Sequence, residues 1–324
     1  MSPTTETFFK SRWVSPPDGI EELDPTAPAP GFRAAGVAAG LKRDGGTDVG
    51  LLACDAEEVR SALALTRNAA AAAPVRVCRD ECDGAAIRAI AVNSGNANAA
   101  TGEHGYRDAL AMRGAAADAL GVEPAKVAVA ETGTIGVALE IEAVVKGLGE
   151  AAEVASPGGG LEFALAIMTT DRGPKQCTVR AEGVTISAQA KGAGMIEPGF
   201  ATMLCFLQTD AEIENPDATL RGALAASMER ITVDGQLSTN DTALLQATGE
   251  AGKPLPEGLL EAVMLQLALE IVADGEGATR VGRIEVLQAF QRANPEAARR
   301  MDLVNDIFSL QNSQKAYTGQ LAGL

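Results

Sequence analysis

The stretch KGAGMIEPGFATMLCF, Lys191 to Phe206, joins two unlike textures. Lys191 to Gly199 is rich in glycine and turn-forming residues, whereas Met203 to Leu207 is a continuous apolar run that predicts a buried strand. One hydroxyl, Thr202, stands at the junction. A threonine hydroxyl is a weak nucleophile that needs a base within hydrogen-bond reach. Cutting the bond before Thr202 would supply one, because the freed α-amine is held beside the hydroxyl. A threonine at a strand start is also an ordinary β-favouring residue, and on residue types alone that simpler reading leads.

Outward from the junction, the chain alternates strand and helix patterns without a strict βαβ rhythm. Short apolar runs at Phe32–Leu41, Val49–Cys54, Ile87–Val92 and Lys126–Ala130 predict strands, and Val179–Ala190 predicts a hairpin turning at Glu182-Gly183. Helices are predicted over Glu57–Ala73 with Asp55 as N-cap, Tyr106–Leu120, Leu139–Leu148, Leu161–Met168, Pro216–Ile231 behind an Asn215 cap, and Pro256–Val272. Ile284–Leu287 predicts a further strand, and Met301, Val304, Ile307 and Phe308 fall at helical spacing. The fold class expected is α/β, a layered sandwich of mixed β-sheets and helices. The proline-bearing residues 1–30 read as a poorly ordered arm without an apolar segment of signal or membrane-span type.

Composition narrows the chemistry. The 324 residues carry a formal net charge of −16 and no basic cluster, which argues against nucleic-acid binding and fits a cytoplasmic protein. Five cysteines without a paired CxxC and a single histidine, His104, leave neither a disulfide framework nor a zinc ligand set. The single histidine also leaves a serine-histidine-aspartate mechanism dependent on one residue of a polar turn. Thr132-Gly133, after a predicted strand, can offer a hydroxyl and a backbone N–H to an oxyanion, although an isolated Thr-Gly is more often a simple turn. IMTTD, Lys191 and GEGAT add the hydroxyls, ammonium and carboxylates that a zwitterionic amino-acid ligand would need.

Six segments occur in one order: NSGNANAATG (93–102), TGTIG (132–136), IMTTDRGPK (167–175), AKGAGMIEPGFATML (190–204), TVDGQLSTNDT (232–242) and DGEGATR (274–280). With GFRAAGVAAGLK and TRNAAAAAPV before them, they make the chain resemble the ArgJ family of ornithine acetyltransferases over about residues 31–280. The resemblance implies a fold of the DmpA/ArgJ type, self-cleaved between Ala201 and Thr202 into an α chain (31–201) and a β chain (family-like over 202–280, divergent over 281–324). It implies that Thr202 is the nucleophile and carries the acetyl group as an ester. It implies that Thr132 and Gly133 stabilise the oxyanion and that Thr169, Lys191, Thr202 and Glu276 bind substrate. The implied reaction is ping-pong, from N2-acetylornithine to glutamate, with no cofactor, acetyl-CoA as a second donor in some members, and an α2β2 heterotetramer with neither nucleic acid nor membrane as partner.

Phe200 replaces the usual Met before the Ala-Thr pair, Arg172-Gly173 replaces the usual Thr-x-Pro, and the likeness in sequence fades after Arg280. Asn312 and Thr318, in the ending NSQKAYTG, stand at a spacing unlike the family's closing Asn and Thr or Ser and are not assigned to the site. Other readings of the same residues are a paralogue acting on another N-acyl amino acid, a shortened homologue without activity, and, last, a nucleotide-binding domain, for which no phosphate-loop motif follows a strand.

Overall fold

A computed structural model describes residues 7–197, 203–278 and 281–282. Ala201 and Thr202, the strand expected at 284–287 and the helical spacing after 300 lie outside the described residues. In chain order the elements are β1 (Glu21–Glu22), β2 (Phe32–Val37), β3 (Val49–Cys54), β4 (Arg60–Leu65), α1 (Ala73–Glu81), β5 (Ala89–Asn96) and α2 (Gly102–Leu120). They continue with β6 (Val127–Thr134), α3 (Ile141–Val154), α4 (Gly160–Ala166), β7 (Lys175–Ala181), β8 (Val184–Lys191) and β9 (Leu204–Thr209). The last three are α5 (Pro216–Ala226), β10 (Thr242–Ala247) and α6 (Leu259–Asp274).

Local chemistry sets several of these boundaries. The Asn215 side chain accepts from the N–H of Ala218 at 3.1 Å, so α5 starts with a capped first turn and proline where no N–H is needed. Gly121, at φ 68°, ends α2 in the left-handed conformation. Glu182 (φ 53°) and Gly183 (φ 84°) both take positive φ, as a two-residue hairpin between twisted strands requires.

Two mixed sheets result. One has the order β1-β7-β8-β9-β10-β4, parallel only between β9 and β10; the other has the order β2-β3-β5-β6, parallel only between β5 and β6. α1, α2 and α3 cover the outer face of the four-stranded sheet, and α5 and α6 cover that of the six-stranded sheet. The period of two in β9 serves both cores: Leu204 and Phe206 face the other sheet, while Cys205 and Leu207 face the outer helices. α4 lies between the sheets, its Phe163 ring edge-on to Phe206 at 5.5 Å. It reaches that position because Gly36 has no side chain; a Cβ there would stand 2.0 Å from the Glu162 carbonyl oxygen. Polar ties join the layers, including Gln246 Nε2 donating to the Ile87 carbonyl at 3.1 Å.

The layered α/β sandwich agrees with the sequence expectation, with two corrections of detail. Residues 57–73 are not a helix capped by Asp55. Arg60–Leu65 is an edge strand whose Ala62 and Ala64 join the outer core while Leu63 and Leu65 pack on the inner one. Its ladder with β10, from Thr242↔Leu65 to Ala247↔Arg60, overrides the helical propensity of the alanines. Asp55 instead accepts from Arg33 Nε at 2.9 Å. The arm expected to be poorly ordered is docked from residue 7 onward. Phe8 and Phe9 pack on the outer core, the Ser11 N–H donates to Gln266 Oε1 at 3.2 Å, and β1 adds to β7. Those aromatics and edge-strand hydrogen bonds give the segment its order despite its prolines.

Candidate active site

A cavity of about 910 Å³ opens where β6 and β8 end, bordered by the loops that hold residues 41–44, 193–195 and 234–240. Thr132, Gly133, Thr169, Lys191 and Glu276 all line it. The structure therefore brings together five positions separated by up to the length from β6 to the end of α6. In the β8–β9 ladder the backbone of Lys191 is opposite that of Leu204, so β9 starts against the end of β8, two residues after position 202. His104 lies elsewhere, 61% exposed and 3.7 Å from Asp108, and does not line the cavity.

Lys191 is 3% exposed. Its Nζ donates to Thr132 Oγ1 at 3.1 Å. Burial holds its pKa below the ordinary lysine value, and Lys175 and Lys42 act in the same direction, while Asp171 opposes them. Burial would raise the Asp171 carboxyl, but Lys191, Lys175 and the Gly192 N–H overcome it and leave the acid below its usual range. Asp171 Oδ1 accepts from Lys175 Nζ at 2.7 Å and from the Gly192 N–H at 2.8 Å, and Oδ2 accepts from the Thr169 N–H at 3.1 Å. One buried carboxylate thus ties Thr169 to the end of β8 and fixes the charge beside Lys191.

The Lys191–Thr132 hydrogen bond has a directional consequence. The ammonium occupies a lone pair of Oγ1, so the Thr132 hydroxyl proton is left for another acceptor. The next residue, Gly133, has φ 134°, and a Cβ there would sit 2.4 Å from the Gly95 carbonyl carbon. Only glycine fits this close approach, which coincides with the register shift in the β5–β6 ladder at Gly95-Asn96. Gly133 is exposed and lines the same cavity as Thr132.

The opposite wall is built from acceptors of backbone N–H groups. Asp234 accepts from Met195 at 2.6 Å, from Ile196 at 2.9 Å and from Gln236 at 3.1 Å, and Met195 takes φ 57°. The Glu276 N–H donates to the Ala193 carbonyl at 2.8 Å, which hangs the exposed Glu276 side chain over the cavity. A buried ammonium at the base and a carboxylate at the rim give the space the polarity of a zwitterionic ligand.

The ArgJ family model matches residues 33–304, beyond the point where the motifs end. The chain is 45% identical over 299 residues to the arginine biosynthesis bifunctional protein ArgJ of Symbiobacterium thermophilum, spanning 85% of this chain and 72% of that protein. It is 39% identical over 267 residues to the ArgJ protein of Streptomyces coelicolor, spanning 81% and 70%. This chain belongs to the ArgJ family. A crystal structure of the ornithine acetyltransferase of Mycobacterium tuberculosis complexed with ornithine superposes with a TM-score of 0.53 at 38% identity, covering 56% of this chain and 98% of that one.

ArgJ membership accounts for the motifs that drew attention in the sequence, but the cavity also uses residues outside that selection. Asp171, Asp234, Asn240 and Asp241 each sit inside a quoted motif and each accepts from or donates to a distant backbone segment. The available signal was their place within the ordered segments; no local pattern marks the long-range partner.

Proposed function

We propose that the cavity transfers an acetyl group from N2-acetylornithine to glutamate through an ester on Thr202, after the chain has cut itself between Ala201 and Thr202. Membership of the ArgJ family makes the protein an acetyltransferase of arginine biosynthesis. The observation that carries the finer reading is that Lys191, Thr132 and Gly133 line one cavity, and that Lys191 ends the strand paired with β9, which begins two residues after Thr202.

The chemistry follows from these groups. The free α-amine of Thr202 takes the hydroxyl proton, Oγ1 attacks the acetyl carbonyl carbon, and the amide C–N bond breaks as ornithine leaves with a proton. The glutamate amine then attacks the ester carbon, the C–O bond breaks, and the Thr202 hydroxyl is restored. Both tetrahedral intermediates place negative charge on the acyl oxygen. The outward Thr132 hydroxyl and the Gly133 N–H meet that charge, each worth about 3 kcal/mol, while the Lys191 cation polarises Thr132 from behind. Thr169 and Glu276 are assigned to the amino-acid part of both substrates. No cofactor enters these steps, and acetyl-CoA would load the same ester. The proposal further places the enzyme in the cytoplasm as an α2β2 assembly; among the described residues no helix is long and apolar enough to cross a membrane.

Intact-mass spectrometry of the purified protein tests it. Two chains divided between Ala201 and Thr202 are expected, the second gaining one acetyl group on incubation with N2-acetylornithine and losing it to glutamate. Thr202→Ala should stay a single chain. Acetyl transfer by an uncut wild-type chain would overturn the mechanism, and a label carried by another N-acyl amino acid but not by N2-acetylornithine would overturn the substrate.

A further inference from the structure

We infer that the dipeptide Asn240-Asp241 is a two-sided strut that sets the distance between the strand that follows the nucleophile and the strand carrying the oxyanion donors. The inference rests on the assignment of Thr202 and Thr132-Gly133 above. The two functional ends belong to different sheets: β6 is an edge of the four-stranded sheet, and β9 is central in the six-stranded one. Nothing in either ladder fixes one against the other. Asn240 and Asp241 do. Asn240, 6% exposed, spends both amide hydrogens on the four-stranded side, donating through Nδ2 to the Glu131 carbonyl at 2.8 Å and the Ala97 carbonyl at 2.7 Å. Glu131 is the residue before Thr132. Asp241, fully buried, turns the other way, and its Oδ1 accepts from the Met203 N–H at 2.9 Å. Met203 is the residue after Thr202.

Each side chain therefore grips the backbone one residue from a reacting group, and the two grips share one peptide unit. The strut is itself anchored. The Asp241 carbonyl accepts from the Thr66 N–H at 3.0 Å, and the Asn240 N–H donates to Ser238 Oγ at 3.0 Å. β10 begins at Thr242, directly after the strut, in parallel register with β9, and the Thr242 N–H donates to the Met203 carbonyl at 3.2 Å. Met203 is thus held at both its N–H and its carbonyl. Such fixing matters because a nucleophile displaced by about 1 Å from its line of attack loses on the order of a hundredfold in rate. Asn240 borders the cavity, but both its amide hydrogens are taken by backbone carbonyls, and Asp241 does not line the cavity, so both are assigned as positioning residues.

The experiment compares Asn240→Ala, Asp241→Ala and the shape-conserving Asp241→Asn in the full chain, reading kcat and KM for transfer from N2-acetylornithine to glutamate together with hydrogen exchange at the Met203 N–H. The alanine variants should lose on the order of a hundredfold in kcat with KM within about threefold, since the groups assigned to substrate remain. Asp241→Asn keeps an acceptor for Met203 and should recover most of the loss. Met203 exchange should quicken in Asp241→Ala and stay slow in Asp241→Asn. The inference is overturned if Asp241→Asn is as impaired as Asp241→Ala, if Asn240→Ala keeps its kcat, or if the loss falls on KM alone. Should the alanine variants fail to fold, Asn240→Asp, which loses both donors at constant shape, replaces them with the same expectation. If the wild type neither cleaves nor transfers, the assignment of Thr202 fails separately, and Met203 exchange still decides whether Asp241 holds that backbone.

Discussion

Lys191 illustrates how one buried charge does two jobs. Asp171 nearby favours its ammonium form in a desolvated position, and by donating to Thr132 Oγ1 the lysine leaves the hydroxyl proton free for another acceptor. The ammonium is present below its folded pKa and lost as pH rises through it. Because burial depresses that pKa from 10.5, the alkaline limb of the transfer rate should begin below 10.5. A pH profile of kcat/KM checks this. Lys191→Met should remove the limb and lower kcat by about a hundredfold, the usual cost of one oxyanion contribution. A limb unchanged in Lys191→Met would assign the titration to another group.

Among the elements, β6 carries a charge-sensitive position outside the cavity. Glu131 is fully buried, accepts from Asn98 Nδ2 at 2.9 Å through Oε1, and has no partner for Oε2 among the described residues. Burial pushes its pKa up to about 8, the Asn98 hydrogen bond works against this, and Asp108 adds to it. The folded state therefore binds more protons than the unfolded one between 4.5 and about 8, and stability should fall as pH rises through that window. The full effect is on the order of 5 kcal/mol as an upper figure. Glu131→Gln, neutral at every pH, should reduce the slope in chemical denaturation; an equally steep slope would mean that another buried acid, such as Asp241, whose pKa burial also raises, is responsible. β6 was also legible as a strand in the sequence, as were β3, the β7–β8 hairpin and α2, because their patterns and turn residues are local. β4 was not, since RSALAL in an alanine-rich context has no local feature that outweighs helix propensity, and its strand state comes from β10, far along the chain. The site divides the same way. Thr132, Gly133, Thr169, Lys191 and Glu276 were reachable through ordered motifs, whereas Glu131 and Asp241 look like ordinary charged residues until burial and a distant N–H give them a role.

At the scale of the whole molecule, the proposed cut falls between two neighbouring strands of one sheet. β8, before it, and β9, after it, are paired from Ile186↔Thr209 to Lys191↔Leu204. On the far side, β10 pairs with β4, which also precedes the cut. Among the described residues the second product thus contributes two strands, flanked on both edges by strands of the first, while its α6 lies over β7 and β8. Separating the products would break both ladders and expose both faces of β9, one in each core. Strand edges opened in this way leave backbone N–H and carbonyl groups and apolar side chains without partners at once. Cleavage is therefore expected to change the covalent chain without releasing either product. Cleaved wild type should elute from gel filtration as one species containing both chains, its melting temperature should lie within a few degrees of uncut Thr202→Ala, and the chains should part only when denaturant unfolds the sheet. Loss of the shorter product in native buffer would mean that the six-stranded sheet does not survive the cut, and that β8, which ends at Lys191, no longer pairs with β9.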